Sequence, residues 1–384
     1  MIIGFPRMVT IPGFERDFSP ALISSLAKNT KTKILLETKY GSALNYKKNQ
    51  YVSERVEFVD RNTIFKTADL IVALCAPPDS DILNMKRRSI LLSMLHFSTH
   101  PSRNAILKKI GIRAVSLDIL FDYEGNRLVQ DLKNTAWNGV NVGFTQLISK
   151  LGKDWWYDRN RDPITAIILG FGGVGKYAAE AILHLGDKER LSDLIVKKGN
   201  PIVKIIPLMS LHTKNKNQLP RLINSISLKE GGYPHLLLDA TRRKDYTKPI
   251  FSKDVLALLP PETIIVDLTA DNYDSQSIVK GIPGFPTGSE KQWIFDTDDK
   301  VWKDTKLIPR KFQIAPPLRR MVVSNYAWPS YGNVGNRQRN MEKYATQIYP
   351  VILSIVESNL GLNKTKSELW NLNTAILDSS LDNY

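Results

Sequence analysis

The chain has 384 residues, 42% of them hydrophobic and 24% charged, which is a globular composition in a chain too long for one ordinary core, so two domains are the default. It has no run of ~18 uncharged apolar residues, which argues against a helical membrane span, and its single cysteine, Cys75, excludes an internal disulfide and fits a reducing cytoplasm. A net charge of +15 and a pI near 9.6 would suit nucleic acid, but the basic residues fall in short groups such as Lys86-Arg87-Arg88 and Arg319-Arg320; with no basic tail and no base-reading motif, a solvated surface or an anionic small ligand is expected instead.

The chain opens directly as a strand, Ile2 to Phe5, without the charged-then-apolar-then-small order of a signal peptide. Helix formers run from Ala21 to Lys28. Strands are predicted over Lys33 to Thr38, Arg55 to Val59 and Ala68 to Cys75, the last stopped by Pro77-Pro78, because proline cannot pair inside a sheet. Ser89 to His96 is a further apolar run, a short helix covers Asn104 to Ile110, and Arg113 to Asp118 follows as a strand. Strands alternating with helices predict a parallel sheet. Ala136 to Leu151 has helical spacing, with Trp137, Val140, Phe144 and Ile148 on one side, and Gly139 and Gly143 four apart for close packing.

The central feature comes next. Ile164 to Leu169 is a continuous apolar run of the kind that forms a buried parallel strand, and it leads into Gly170-Phe-Gly172-Gly173-Val174-Gly175 and then into helix formers. Gly170 permits the tight turn, Gly172 lets the backbone approach a pyrophosphate, and Gly175 lets helix and strand pack closely. The helix N-terminus offers N–H groups and a positive dipole end to an anion. This predicts a nucleotide-binding crossover built on Gly170, Gly172, Gly173, Val174 and Gly175; the plainer alternative is a tight turn without a ligand.

Further strands are predicted at Ile202 to Ile206, His235 to Leu238, Thr263 to Asp267 and Met321 to Asn325, with a long helix from Arg339 to Glu357 and a peripheral tail from Gly361. The acidic residue that holds a ribose 2′-hydroxyl usually follows the turn by ~20 residues. Here the second strand ends at Pro207 without one, and Asp187 to Asn200 reads as an insertion. Ser210, Thr213, Lys214 and Lys216 follow instead. Hydroxyls and cations there suit a 2′-phosphate, so NADP is preferred over NAD; a solvated loop is the alternative.

Taken together, this order resembles the alanine dehydrogenase, pyridine nucleotide transhydrogenase and saccharopine dehydrogenase superfamily. Five places carry the resemblance. Glu15-Arg16-Asp17-Phe18-Ser19-Pro20 follows the first strand. Ala68-Asp-Leu-Ile-Val precedes a proline. Leu95-His96 ends a strand. Asp122-Tyr-Glu-Gly-Asn-Arg127 comes before Trp137-x-Gly139-x-x-x-Gly143, as in the saccharopine branch. Last are Val266-Asp267-Leu-Thr-Ala-Asp271 and Ser324-Asn325-Tyr-Ala-Trp-Pro329. The resemblance implies an α/β fold of two Rossmann-like domains. A discontinuous substrate domain, 1–135 and 329–384, is completed by the C-terminal helix and faces a central NAD(P)-binding domain, 136–328, across a cleft.

It also implies an oxidoreductase acting on the C–N bond of an amino acid or imine, including the reductive joining of an amine to a 2-oxo acid. Arg16 would grip the substrate carboxylate through two parallel hydrogen bonds. His96, whose residue type titrates near ~6.5, would move the proton, with His100 as second choice. Asp271 would orient substrate or nicotinamide, and Asn325 would contact the nicotinamide side. Each has a plainer alternative: a loop arginine, a core histidine, a helix-capping aspartate, a turn asparagine. The family's catalytic lysine falls on Cys75, and no lysine lies in this strand. A catalytically inactive nucleotide-binding or regulatory homologue is therefore the rival reading. No metal is expected. The particular substrate and any homo-oligomer stay open.

Overall fold

In the computed structural model, residues 1–8, 15–122, 124–158, 163–186, 203–208, 221, 223, 234–270, 272–273, 278–289, 292–325, 328–358 and 376–377 are described. The chain divides into two compact units, one formed by Met1–Asp131 with Ser330–Tyr384 and the other by Leu132–Pro329. Both are parallel-dominated α/β units, as the alternation of strands and helices predicts. No helix among the described residues is long and apolar enough to cross a membrane.

The first unit holds strands β1 (Ile2–Phe5), β2 (Lys33–Glu37), β3 (Val56–Val59), β4 (Leu70–Cys75), β5 (Ile90–Met94) and β6 (Arg113–Ser116), with helices α1 (Pro20–Asn29), α2 (Arg61–Thr67), α3 (Asp79–Ile82) and α4 (Pro101–Ile110) between them. The sheet order is β6-β5-β4-β1-β2-β3, all parallel. Successive strand residues point to opposite faces, and both faces are covered. Ile34, Leu36, Leu70, Val72 and Leu74 join the core beneath α1 and the C-terminal helix, whereas Leu35, Ile71, Leu91 and Ala114 join the core that holds Ile64, Phe65 and Leu107.

The C-terminal helix runs over Val334–Glu357, five residues longer at its start than its apolar spacing suggests, because the side chain of Asn333 caps it by accepting from the Asn336 amide. The tail is not wholly peripheral: Ile376–Leu377 forms an edge strand antiparallel to β6, a pairing supplied by a partner more than 250 residues away and invisible locally.

The second unit begins with α5 (Leu132–Leu151) and α6 (Lys153–Tyr157), and continues with β7 (Ile164–Leu169), α7 (Gly173–Leu185), β8 (Val203–Leu208), β9 (Pro234–Asp239), β10 (Ile264–Asp267), β11 (Ile294–Phe295) and β12 (Met321–Ser324). The sheet order is β11-β12-β10-β9-β7-β8, parallel except for the short β11.

Gly139 and Gly143 set how α5 meets the sheet. A Cβ on Gly139 would stand 2.2 Å from Leu268 Cδ2, and one on Gly143 would stand 2.8 Å from Val266 Cγ2. The buried residues of α5 are Ala136, Gly139, Val140, Val142, Gly143, Phe144 and Leu147, so of the predicted face Val140 and Phe144 are buried while Trp137 and Ile148 are only half-buried. Trp137 sits to the side, with its ring 5.0 Å from that of His184 and Lys133 Nζ 5.2 Å from its centroid. A glycine seam lets backbone take the place that apolar spacing assigns to large side chains.

Candidate functional site

In an open parallel sheet, ligands bind outside the C-terminal strand ends where the strand order reverses. The first unit reverses between β1 and β4, because β1 pairs with β2 on one side and β4 on the other. Met8 follows β1, and its Sδ accepts from the amides of Leu74 (2.5 Å) and Cys75 (3.4 Å) at the end of β4. Arg16 arrives at the same place. Its Nη1 contacts Cys75 Sγ, and its Nε donates to Ser330 Oγ at 3.0 Å. The guanidinium is buried, at 5% exposure, and Ser330 at 1%. Glu15, the acid adjacent in sequence, is engaged by Arg337 Nε at 3.2 Å. A cation is thus held at the reversal point by a hydroxyl and a thiol. The structure puts Arg16 and Cys75 together, in a region where a carboxylate would find a planar, two-pronged donor.

His96 lies two residues beyond β5, the strand neighbouring β4, where Cys75 pairs with Met94. Its side chain is half exposed, and its backbone is left-handed at φ 51°. Asp118, just beyond β6, holds it there. Asp118 Oδ1 accepts from the His96 amide (3.0 Å) and from Ser116 Oγ (2.5 Å), while Oδ2 lies 3.5 Å from His96 Nδ1. Ser116 Oγ in turn accepts from the Leu95 amide at 3.1 Å. Burial works against ionisation of Asp118, but the His96 ring, the Ser116 hydroxyl, the His96 amide and Arg127 outweigh it, and the carboxyl is held below its ordinary range. His100 caps α4, its Nδ1 is 3.1 Å from Thr99 Oγ1, and Pro101 opens the helix.

Asp17 is fully buried beside Arg16. Its Oδ2 accepts from the Gly41 amide (2.8 Å) and faces Arg7 Nε (3.4 Å), while Oδ1 has no hydrogen-bond partner among the described residues. Burial pushes its carboxyl up to about 6, against the Gly41 amide and Arg7.

In the second unit the order reverses at β7, which pairs with β8 on one side and β9 on the other. The glycine turn stands there. Gly170 has φ 83°, and a Cβ on it would meet Ala240 O at 2.7 Å. A Cβ on Gly175 would meet Gly170 O at 2.0 Å, so turn and helix are in backbone contact. Gly172 differs: it caps α7 at φ −80°, and a Cβ there would meet nothing within 4 Å. Among the described residues nothing crowds Gly172, as an anion approaching the helix amides requires, whereas a Cβ on the next residue, Gly173, would stand 2.6 Å from Leu132 Cδ1. Gly173 and Val174 form the first turn of α7.

At the ends of β10 and β12 the chain is tied by Asp267. Lys280 Nζ lies 2.8 Å from Asp267 Oδ2, both side chains 1% exposed, and Ser324 Oγ donates to the same oxygen at 2.8 Å. Asp267 Oδ1 accepts from Thr269 Oγ1 (2.7 Å) and from the Ala270 amide (3.0 Å), where the backbone turns left-handed at φ 50°. Burial opposes its charge, yet Lys280 and the hydroxyl donors keep Asp267 below its ordinary range. Asn325 follows Ser324 and is fully buried.

Ser210, Thr213, Lys214 and Lys216, the Asp187–Asn200 insertion and Asp271 lie outside the described residues. Sequence reasoning did not single out Asp118 or Lys280. The only local signal for Asp118 is the Ser116-x-Asp118 spacing past a strand; Lys280 carries none, because its partner is fixed by tertiary packing.

Residues 18–136 match the model of the family described as Alanine dehydrogenase/PNT, N-terminal domain. No curated protein sequence is a match. Among solved structures, the chain is similar to an L-alanine dehydrogenase at 16% identity, with 99% of this chain and 96% of that one covered and a TM-score of 0.65. It is also similar to a transhydrogenase from Sinorhizobium meliloti at 14% identity, covering 92% and 94% of the two chains with a TM-score of 0.56. The resemblance to the alanine dehydrogenase and transhydrogenase superfamily holds, as a distant one: the family match spans residues 18–136 and the structural likeness is one of fold.

Proposed function

We propose that the protein is an NAD(P)-dependent oxidoreductase acting on the C–N bond of an amino acid or its imine, opine- and saccharopine-type reductive amination included. The observation that carries this reading is the chemistry at the two reversal points: in the first unit a buried arginine on the end of β4 and a histidine just past the neighbouring β5, and in the second a glycine turn on a helix N-terminus. Gly170, Gly172, Gly173, Val174 and Gly175 hold the cofactor pyrophosphate; Ser210 and Lys214 are the residues proposed to favour NADP over NAD. Bound nicotinamide supplies the hydride acceptor or donor.

Arg16 holds the substrate carboxylate. His96 receives the proton that the amine nitrogen gives up as its carbon becomes C=N, and returns it in the reverse reaction. Cys75 lines the carboxylate side, and Asp271 and Asn325 orient substrate and nicotinamide. The small-molecule substrate is an amino acid or 2-oxo acid, and cytoplasmic residence fits the lone thiol.

The test is a screen of 2-oxo acids paired with ammonia or amino acids, followed at the NADPH absorbance. Turnover with at least one pair is expected, and Arg16→Lys should raise KM for the oxo acid at least ~10-fold, since one point charge replaces a two-pronged donor. No turnover with any pair, together with unaltered binding of NADPH, would favour a second reading. That reading is a catalytically inactive nucleotide-binding or regulatory homologue, and one observation favours it: the position of the family lysine is a cysteine, engaged with Arg16.

A further inference from the structure

We infer that Asp118 is a positioning residue for His96, fixing the orientation and tautomer of its ring so that Nε2 is the atom that exchanges the proton. The inference rests on the reading of His96 as the proton carrier and adds a residue to it. The geometry is that of a carboxylate supporting an imidazole from behind. Asp118 Oδ1 is occupied by the His96 amide and the Ser116 hydroxyl, which leaves Oδ2, 3.5 Å from His96 Nδ1, as the oxygen that faces the ring. An acceptor facing Nδ1 favours a proton on Nδ1 and leaves Nε2 with its lone pair.

The same contact explains the backbone. A left-handed conformation is uncommon for histidine and persists where surrounding contacts over-determine it. Here the Asp118 carboxylate ties the His96 amide, and Ser116 ties the preceding Leu95 amide, so two successive residues past β5 are anchored to the end of β6. Asp118 is nearly buried whereas the His96 side chain is half exposed, so the supporting carboxylate is the member of the pair held inside the protein.

Other charged or titratable groups around the pair are His100, whose ring is 6.1 Å from that of His96; Arg103, which donates to the Leu95 carbonyl and lies 3.7 Å from Asp79; and Arg127, which acts on Asp118 from the turn beyond it. In the proposed C–N oxidation, Nε2 would take the proton that the substrate nitrogen gives up, with a bound nicotinamide as the hydride acceptor. The positive charge that develops on the ring is then met by Asp118.

The test reads His96 directly, without substrate. The chain has five histidines, and His96→Gln identifies the signal in a nuclear magnetic resonance titration. In the unchanged protein the neutral ring should carry its proton on Nδ1. Asp118→Asn keeps an acceptor for the His96 amide but removes the charge, and the titration midpoint should fall by about one pH unit, a tenfold loss of proton affinity. A neutral ring protonated on Nε2, or an unmoved midpoint, overturns the inference; the tautomer measurement needs no variant and stands even if Asp118→Asn folds poorly. In turnover, Asp118→Asn should move the acid-side limb of the pH profile down by the same interval and leave KM for the nicotinamide unchanged. An unmoved limb in an enzyme that turns over also overturns it. Absence of turnover in the unchanged protein would remove the functional reading, and the titration would still decide on Asp118.

Discussion

Asp17 illustrates how a single side chain can carry a pH dependence that its exposed neighbours do not. It is fully buried, with one oxygen satisfied by Gly41 and Arg7 and the other without a partner among the described residues, and Glu37 adds like charge nearby. Its carboxyl titrates at about 6 in the fold against an ordinary 3.8, because burial disfavours the charge. The native state therefore binds the proton more tightly than the unfolded chain. The stability that Asp17 contributes is complete below pH ~4 and is lost as the pH rises through about 6, a change on the order of 3 kcal/mol. Melting temperatures measured from pH 4 to 7 should show the unchanged protein losing stability relative to Asp17→Asn across that interval. Parallel curves for the two proteins would contradict the assignment. At this scale the sequence was only partly legible. Arg16 and His96 stand out as residue types beside strand ends, whereas the contacts that define them, Cys75 and Ser330 for one and Asp118 for the other, come from strands and segments that only folding brings together.

At the scale of elements, the parallel strands were legible because a strand buried on both faces must be apolar throughout, as Ile164–Leu169 and Leu70–Cys75 are. The face of α5 was legible only in part: Val140 and Phe144 are buried as their spacing predicts, but the glycine seam at Gly139 and Gly143 brings backbone against the sheet and leaves Trp137 and Ile148 half-buried. The buried pair Asp267–Lys280, thirteen residues apart, was equally out of reach: nothing in composition marks one lysine among many as buried. The glycine turn makes a differential prediction. Gly172→Ala should leave the melting temperature unchanged and weaken nicotinamide binding, since its Cβ would meet no described residue within 4 Å but would stand where the proposed pyrophosphate approaches. Gly175→Ala should destabilise the fold itself, since its Cβ would stand 2.0 Å from the Gly170 carbonyl. Calorimetry of the two variants with and without NADPH separates the cases. If Gly172→Ala bound NADPH as tightly as the unchanged protein, the space above the turn would not be the pyrophosphate site.

The whole molecule has two units, each an open, parallel-dominated sheet with its own reversal point, and in the proposed function each reversal point serves one half of a hydride-transfer reaction. The net charge of +15 is consistent with ligands that are anions at both, a carboxylate and a dinucleotide. The proposed reaction depends on the binding of a nicotinamide dinucleotide, whereas the His96 titration does not. The most direct measurement is a titration of the unchanged protein with NADPH and with NADH, followed by fluorescence and by thermal melting. Saturable binding with a rise in melting temperature, stronger for NADPH, is the expected result. No shift with either dinucleotide at millimolar concentration would contradict it.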